Sequence, residues 1–404
     1  MAAPRVLIVG ASLAAVTVAE RLRERGSDAS VTIVGDEELA PYDRPPLSKQ
    51  RLASAPSTSS AGFELRPAAW FRERDIDLRL GTRALSLHAD RLEVAVDKGQ
   101  RLRADHVVVA TGARARRMER WGRPSGLHYL RTAQDSDALR STLRSPGRLV
   151  IVGGGFIGLE VASAAVVRGW DVCVVEMGSA PLGRVLPAEV AELCIVPLRA
   201  RGVRFLCGQP VQQVHADGGV TAVELADGHL LPADAVVVGA GAAPNVEWLA
   251  GSGVDVGPGV VCDGLGRTTR EGVWALGDVA QWPNLTTGRS DRVEQWQAAR
   301  DQGRVVADAI LGDRTPWNAT PYFWSDLLDE KVQFVGWASS SHRSHTVSVR
   351  GRAVCLIGDE KLRGVLTVSS PRHLAAGRRL LMSATSFEDA REWADRLPTA
   401  QIAS

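Results

Sequence analysis

Two stretches of the chain repeat one order of apolar and polar positions. In VLIVGASLAAVTVAERL, from Val6, a short apolar run stops at Gly10 and gives way to an alanine-rich amphipathic stretch through Glu20 and Arg25; in LVIVGGGFIGLEVASAAV, from Leu149, the same order recurs around Gly153. A brief apolar run bounded by glycine predicts a strand buried on both faces, and the stretch behind it predicts the helix of a βαβ unit. Further buried strands are predicted at Val107 to Val109, entering Ala110-Thr111-Gly112, and at Ala235 to Val238, entering Gly239-Ala240-Gly241. A third is Val273-Trp274-Ala275-Leu276, ending in Gly277-Asp278. Because the second repeat lies between the first two of these, one βαβ domain is expected to be inserted in another. From about Thr320 the pattern changes to short alternating strands, at Lys331 to Gly336, Thr346 to Val349 and Ala353 to Ile357, as in a smaller third domain.

The glycines say what the repeats are for. Gly153, Gly155 and Gly158 fit G-x-G-x-x-G at a turn from strand to helix, where backbone approaches a pyrophosphate closely and phosphate rests on the helix N-terminus. The next predicted strand, Asp171 to Val175, ends in Glu176, placed to accept hydrogen bonds from a ribose 2′-hydroxyl. Glu176 would repel a 2′-phosphate, and Met177, Gly178 and Ser179 bring no arginine, so NAD is favoured over NADP. The first copy is degenerate: Gly10-Ala11-Ser12-Leu13-Ala14-Ala15 has Ser12 and Ala15 where glycines would stand. Its strand, Val31 to Val34, leads to Gly35-Asp36-Glu37, so the acid is displaced by one residue and Asp36 is the ribose candidate. The expected fold is therefore α/β, with two Rossmann-like nucleotide-binding domains and a smaller α+β C-terminal domain. The expected boundaries are 1–112 with 240–319, then 113–239, then 320–404.

Composition narrows the class without changing this picture. A net charge of +2 over 404 residues excludes the strongly basic balance of a nucleic-acid protein. No run of about twenty apolar residues free of glycine and charge predicts a membrane span. Arg5 before an apolar run imitates a signal peptide, but the run breaks at the glycine turn and continues into a charged helix, so a cytoplasmic enzyme is expected. The five cysteines, Cys173, Cys194, Cys207, Cys262 and Cys355, are scattered, with neither disulfide framework nor metal spacing. The low-complexity stretch Ala53 to Gly62 is expected to be an exposed loop.

Five segments in order then carry a resemblance: PYDRPPLSK from Pro41, ATGARAR from Ala110, GGGFIGLE from Gly153, ALGDVA from Ala275 and FWSD from Phe323. With them the chain resembles, over essentially its whole length, the FAD-dependent NADH:ferredoxin reductases of bacterial oxygenase systems, of the putidaredoxin reductase type and related to apoptosis-inducing factor. The resemblance implies a glutathione-reductase-like architecture, with tight, non-covalent FAD in the discontinuous first domain and NADH in the inserted one. It implies FAD contacts at Gly10, Ser12, Ala14, Asp36, Arg44, Lys49, Ala84, Thr111, Gly112, Arg131, Gly241, Asp278 and Trp296. Asp278, after a strand and before a helix, would accept a bond from the ribityl chain, and Trp296 would open the helix whose N-terminal end faces the flavin pyrimidine. Gly153, Gly155, Ile157, Gly158 and Glu176 are implied for NAD, with Arg184 at its phosphate or ribose.

The resemblance also implies a buried ion pair of Lys49 and Glu160 beside the flavin N5, the catalytic candidates, since either charge alone would be costly to bury. Disulfide reductases of this architecture carry active cysteines near the segment that here reads PYDRPPLSK, yet residues 1 to 172 contain none. Reduced flavin would then pass electrons outward to a one-electron carrier. The chain holds no iron–sulfur cysteine cluster, so the expected partner is a separate ferredoxin, of two-iron, two-sulfur type, upstream of an oxygenase. Arginines 72, 74 and 79, and 114, 116, 117, 120 and 123, form local clusters able to steer an acidic partner. The alternatives are a redox-sensing interaction protein using FAD and NADH, and an NADH oxidase. Two departures stand out: Leu327-Leu328 where relatives carry Gln-Tyr, and Pro187 and Pro197, expected to bend or shorten the helix after Arg184.

Overall fold

A computed structural model of the chain describes residues 3–53, 62–284 and 288–398. By its internal contacts the chain divides into two compact units, one drawn from residues 1–43, 56–114 and 242–321, the other from residues 44–55, 115–241 and 322–404. The short segment 44–55 thus groups with the second unit, unlike the residues on either side of it. Residues from Tyr322 onward group with that unit too.

The first unit is built on a five-stranded parallel sheet in the order Val273–Ala275, His106–Val109, Arg5–Val9, Ser30–Val34, Ile76–Arg79. Ile8, Ile33, Val107, Val108 and Val109 are fully excluded from solvent, as a sheet covered on both faces requires. The chain's first strand lies in the middle, so the direction of strand order reverses beside it. Ligands of such sheets bind at the carboxyl ends around that reversal. Helix Leu13–Glu24 follows the first strand and packs against helix Trp296–Ile310.

The second unit repeats this plan with Arg204–Cys207, Asp171–Glu176, Arg148–Val152, Ala235–Val238 and Leu127–Tyr129, again all parallel. Register repeats as well. Val9 lies opposite Val34 and Val109, and Val152 opposite Val175 and Val238. The same unit holds an antiparallel sheet in the order Tyr322–Leu327, Glu330–Gly336, Leu362–Val368, Arg352–Gly358, Arg343–Val349. Helices Pro371–Met382 and Phe387–Asp395 close its core of Val335, Val354, Leu356, Val365, Leu374, Phe387 and Ala390.

Three local expectations meet the structure differently. Pro187 is the N-cap at which helix Ala188–Ala200 starts, in keeping with a shortened helix, whereas Pro197 lies inside that helix, which continues to Ala200. A proline removes one i→i−4 bond, and here the buried face of Val190, Ala191, Cys194, Ile195 and Leu198 keeps the helix together across the gap. Asp278 does not precede a helix: it lies in the 3-10 turn Gly277–Val279, and the strand Ala280–Pro283 follows directly. Of the low-complexity stretch Ala53 to Gly62, residues 54–61 lie outside the described residues. Among those described, no helix is long and apolar enough to cross a membrane.

Candidate functional site

The two glycine turns are built alike. Gly10 has φ of 115°, and a Cβ there would stand 2.2 Å from the Ala110 carbonyl oxygen, just past the end of the neighbouring strand His106–Val109. Gly153 has φ of 107°, and its Cβ would stand 2.4 Å from the Gly239 oxygen. Each glycine amide donates to the next strand, Gly10 to Val34 and Gly153 to Val175, both at 2.8 Å. No L side chain fits either position, because both the backbone conformation and the space forbid it.

Behind the turns, Ser12 and Gly155 stand at the helix N-caps, and neither helix has a side-chain cap or an acid in its first turn. Helix Ala133–Thr142, by contrast, carries a full capping box from Thr132 and Asp135. Uncompensated amides at a helix N-terminus are suited to a phosphate. Gly155 adds a second sign: its φ of −78° suits any residue, and among the described residues nothing lies within 4 Å of a Cβ built on it. Neither backbone conformation nor packing calls for glycine there, whereas a close-lying pyrophosphate would. Gly158 is needed for packing, since its Cβ would stand 2.4 Å from the Gly153 oxygen. The half-buried Glu176 ends its strand and accepts from the amides of Gly154 and Gly178, both at 2.7 Å, leaving each oxygen capacity for a further donor. These residues fit a dinucleotide with free 2′-hydroxyl.

The remaining first-unit candidates gather partly. Gly277, next to Asp278, would bring a Cβ within 3.4 Å of Ala14 Cβ, and its amide donates to Gln302 Oε1 at 2.8 Å from helix Trp296–Ile310. Trp296 opens that helix and its Nε1 donates to Asp43 Oδ1 at 2.6 Å. The Asp278 carbonyl accepts from Arg292 Nη1 at 3.0 Å. Thr111 and Gly112 are tied to Asn245: Thr111 Oγ1 donates to the Asn245 carbonyl, and Asn245 Nδ2 donates to the Thr111 carbonyl, each at 2.8 Å. Asp36 is exposed, and Ala84 is half-buried at the start of strand Ala84–His88.

In the second unit, Arg44 Nη1 donates to the Arg131 carbonyl at 2.7 Å. Gly241 ends the segment 115–241 with φ of 89°. Ile157 is 47% exposed on the first turn of its helix, and Arg184 is exposed in the turn before helix Ala188–Ala200. The FAD candidates are therefore shared out, with Arg44, Lys49, Arg131 and Gly241 in the second unit and the others in the first.

Lys49 and Glu160 meet inside the second unit, Nζ to Oε1 at 3.0 Å, with side chains only 9% and 5% exposed. The sequence did not single out the two serines that complete this cluster. Ser48 donates to Glu160 Oε2, and Ser325 donates to Oε1 at 2.6 Å. Both stand within segments quoted above, PYDRPPLSK and FWSD, but nothing local marks a serine as a carboxylate's partner. Lys49 Nζ also lies 5.6 Å from the centre of the Trp324 ring, where the π face attracts a cation. The carboxylate thus has three donors among the described residues, and the buried charges compensate each other.

All five cysteines are free, four of them buried and Cys207 half-buried. Burial pushes the Cys194 thiol up to about 12 and the Cys355 thiol to about 11, and it raises Cys173, Cys207 and Cys262 as well. The reactive form is the thiolate, so none is suited to relay electrons.

Residues 4–303 match the family model for pyridine nucleotide-disulphide oxidoreductases, and residues 322–401 match that for the reductase C-terminal domain. Rhodocoxin reductase of Rhodococcus erythropolis is 36% identical over 93% of this chain and 89% of its own length. The ferredoxin--NAD(+) reductase component of the anthranilate 1,2-dioxygenase system of Burkholderia cepacia is 36% identical over 98% of both chains. Among solved structures, the reductase of the covalent putidaredoxin reductase–putidaredoxin complex aligns with a TM-score of 0.90 at 30% identity, over 95% of this chain and 94% of the other.

Proposed function

The chain belongs to the pyridine nucleotide-disulphide oxidoreductases, and among them to the ferredoxin--NAD(+) reductases; from that membership we propose that it carries electrons from NADH, through tightly but non-covalently bound FAD, to a separate iron–sulfur ferredoxin that feeds an oxygenase. One observation carries this more than any other: two phosphate-ready glycine turns share a chain whose thiols are all buried or raised away from reactivity. A disulfide reductase needs the first and a reactive cysteine besides. A reductase of an external one-electron carrier needs only the first.

We assign FAD to the turn at Gly10, with the amides at Ser12 and Ala14 on its pyrophosphate, Asp36 on its ribose, and Thr111, Gly112, Asp278 and Trp296 further along it. Ala84, Arg44, Arg131 and Gly241 belong to the same assignment. NADH takes the turn at Gly153, where Gly155 admits the pyrophosphate, Glu176 accepts the ribose hydroxyls and turns away a 2′-phosphate, and Ile157 and Arg184 flank it. When bound, FAD takes up a hydride's two electrons and gives them out singly. Lys49 presents a fixed, dry positive charge that stabilises negative charge developing on a bound flavin, and Glu160 keeps that charge affordable to bury. The partner is a two-iron, two-sulfur ferredoxin, and unpaired thiols suit the reducing cytoplasm.

Anaerobic stopped-flow tests the function directly. NADH should bleach the bound flavin at least about tenfold faster than NADPH, and added ferredoxin should then be reduced one electron at a time. Slow bleaching with a long-lived coloured complex, or vigorous peroxide formation without ferredoxin, would favour the redox-sensing protein or the oxidase instead.

A further inference from the structure

Helix Phe156–Val166 and strand Tyr322–Leu327 meet along one line within the second unit. Phe156 packs on Phe323 with ring centroids 4.7 Å apart, Ser325 donates to Glu160 at 2.6 Å, and the Leu328 amide donates to Ser163 Oγ at 3.2 Å. Phe156, Glu160 and Ser163 stand at i, i+4 and i+7, one face of a helix, rising about 6 Å per four residues. Phe323 to Ser325, two residues along the strand, cover about 6.6 Å and match Phe156 to Glu160, while Leu328 reaches Ser163 from the turn just past the strand's end. Contacts on both sides of it therefore fix the place of Ser325 independently of Glu160.

Ser325 itself is fully buried, and its hydroxyl faces the oxygen that also holds Lys49. Ser48 and Lys49, consecutive in the chain, take different oxygens of the same carboxylate, Ser48 on Oε2 and Lys49 on Oε1. Because both donors sit on one short segment, their two bonds alone would let the segment and the carboxylate shift together, whereas Ser325 ties the carboxylate to a separate strand. We propose that Ser325 is a positioning residue: its hydroxyl locks the Glu160 carboxylate in the one orientation from which Oε1 holds Lys49 Nζ at the hydride-receiving site. The C-terminal strand thereby sets the geometry of a charge pair whose two members come from elsewhere in the sequence.

The proposal rests on the reductase function above. Its test uses the FAD-loaded full chain with Ser325→Ala and Ser325→Thr, measuring flavin content, melting temperature, the visible flavin spectrum and the rate of reduction by NADH. Ser325→Ala should keep its FAD and melt within about 5 °C of the parent. Its limiting rate of flavin reduction should fall about tenfold, since a bond to a charged group is lost. Its apparent NADH affinity should change less than about twofold. The flavin spectrum should shift, and Ser325→Thr, which keeps a hydroxyl, should restore both rate and spectrum. Parental rate and spectrum in Ser325→Ala would overturn the positioning role. So would a Ser325→Thr variant as slow as Ser325→Ala. If the parent chain itself were not bleached by NADH, the reductase function would fail instead, and the two failures are thus distinct.

Discussion

The two glycine turns occupy the same place in two five-stranded parallel sheets that differ in one edge strand, last in the chain order of the first sheet and first in that of the second, and the turns themselves exchange one detail. By register, Gly35 follows Val34 as Glu176 follows Val175, and Ala11 follows Gly10 as Gly154 follows Gly153. In the first turn the loop residue carries the side chain: a Cβ on Gly35 would stand 2.4 Å from Ala11 Cβ. In the second turn the strand end carries it, and Glu176 reaches over Gly154 to accept its amide proton. The displaced acid of the first copy has its cause here, because a methyl at position 11 leaves room only for glycine at position 35. A further difference is that Gly158 cannot carry a Cβ, whereas its counterpart Ala15 does so fully buried. The two turns thus share one obligatory glycine, at their start, while positions 11 and 35, and 15 and 158, are set by what packs nearby.

That claim is broken most directly at Gly10 and Gly153. Alanine at either meets a backbone oxygen under 2.5 Å away and a φ above 100°. Strain and overlap together should cost more than about 3 kcal/mol. The two substitutions should differ in kind, however. Gly10→Ala should be purified without flavin colour, while Gly153→Ala should be yellow but unresponsive to NADH. Absorbance and calorimetry on the two variants decide it, and colour retained in Gly10→Ala would overturn the assignment of FAD to the first turn.

Lys49→Met comes next in size. Met matches the aliphatic stem but removes the charge, so FAD should stay bound while reduction by NADH slows about a hundredfold. An unchanged rate in the stopped-flow would remove Lys49 from the mechanism. Lys49 and Glu160 were legible in the sequence because both stand in specific segments, and the parallel strands were legible because burial on both faces leaves unbroken apolar runs. Ser48 and Ser325 were not, since their role depends on residues 112 and 165 positions away. Nor was the strand after Asp278 legible, because the alternation of Ala-Gln-Trp-Pro runs over only four residues, too short to distinguish strand from helix. Pro197 does not end its helix for a related reason: propensity against proline is outweighed by a buried helix face that only tertiary packing reveals.

A smaller effect tests the exchange between the turns. Gly35→Ala should destabilise the fold by about 2 kcal/mol through overpacking. Among the described residues its only close contact is Ala11 Cβ, since the next atoms stand at 3.4 Å and 3.5 Å. Combining it with Ala11→Gly should therefore recover most of the loss. Denaturation of the two single variants and the double variant gives the coupling, which should exceed about 1 kcal/mol. Additive effects would mean that positions 11 and 35 do not share space.

Gly155→Ala carries the smallest expected effect and separates ligand from scaffold most cleanly. An alanine at this helix N-cap, with φ near −78°, meets no atom of the described residues within 4 Å and gives up only the modest N-cap preference for glycine over alanine. The melting temperature should move by no more than about 2 °C. If a pyrophosphate must come against the backbone there, the methyl displaces it, and the NADH concentration for half-maximal flavin reduction should rise about tenfold. The limiting rate should hardly change, because Lys49 and Glu160 are untouched. A variant with parental NADH affinity would show that Gly155 is glycine for no reason connected with the coenzyme, and the second turn would lose its strongest sign of use.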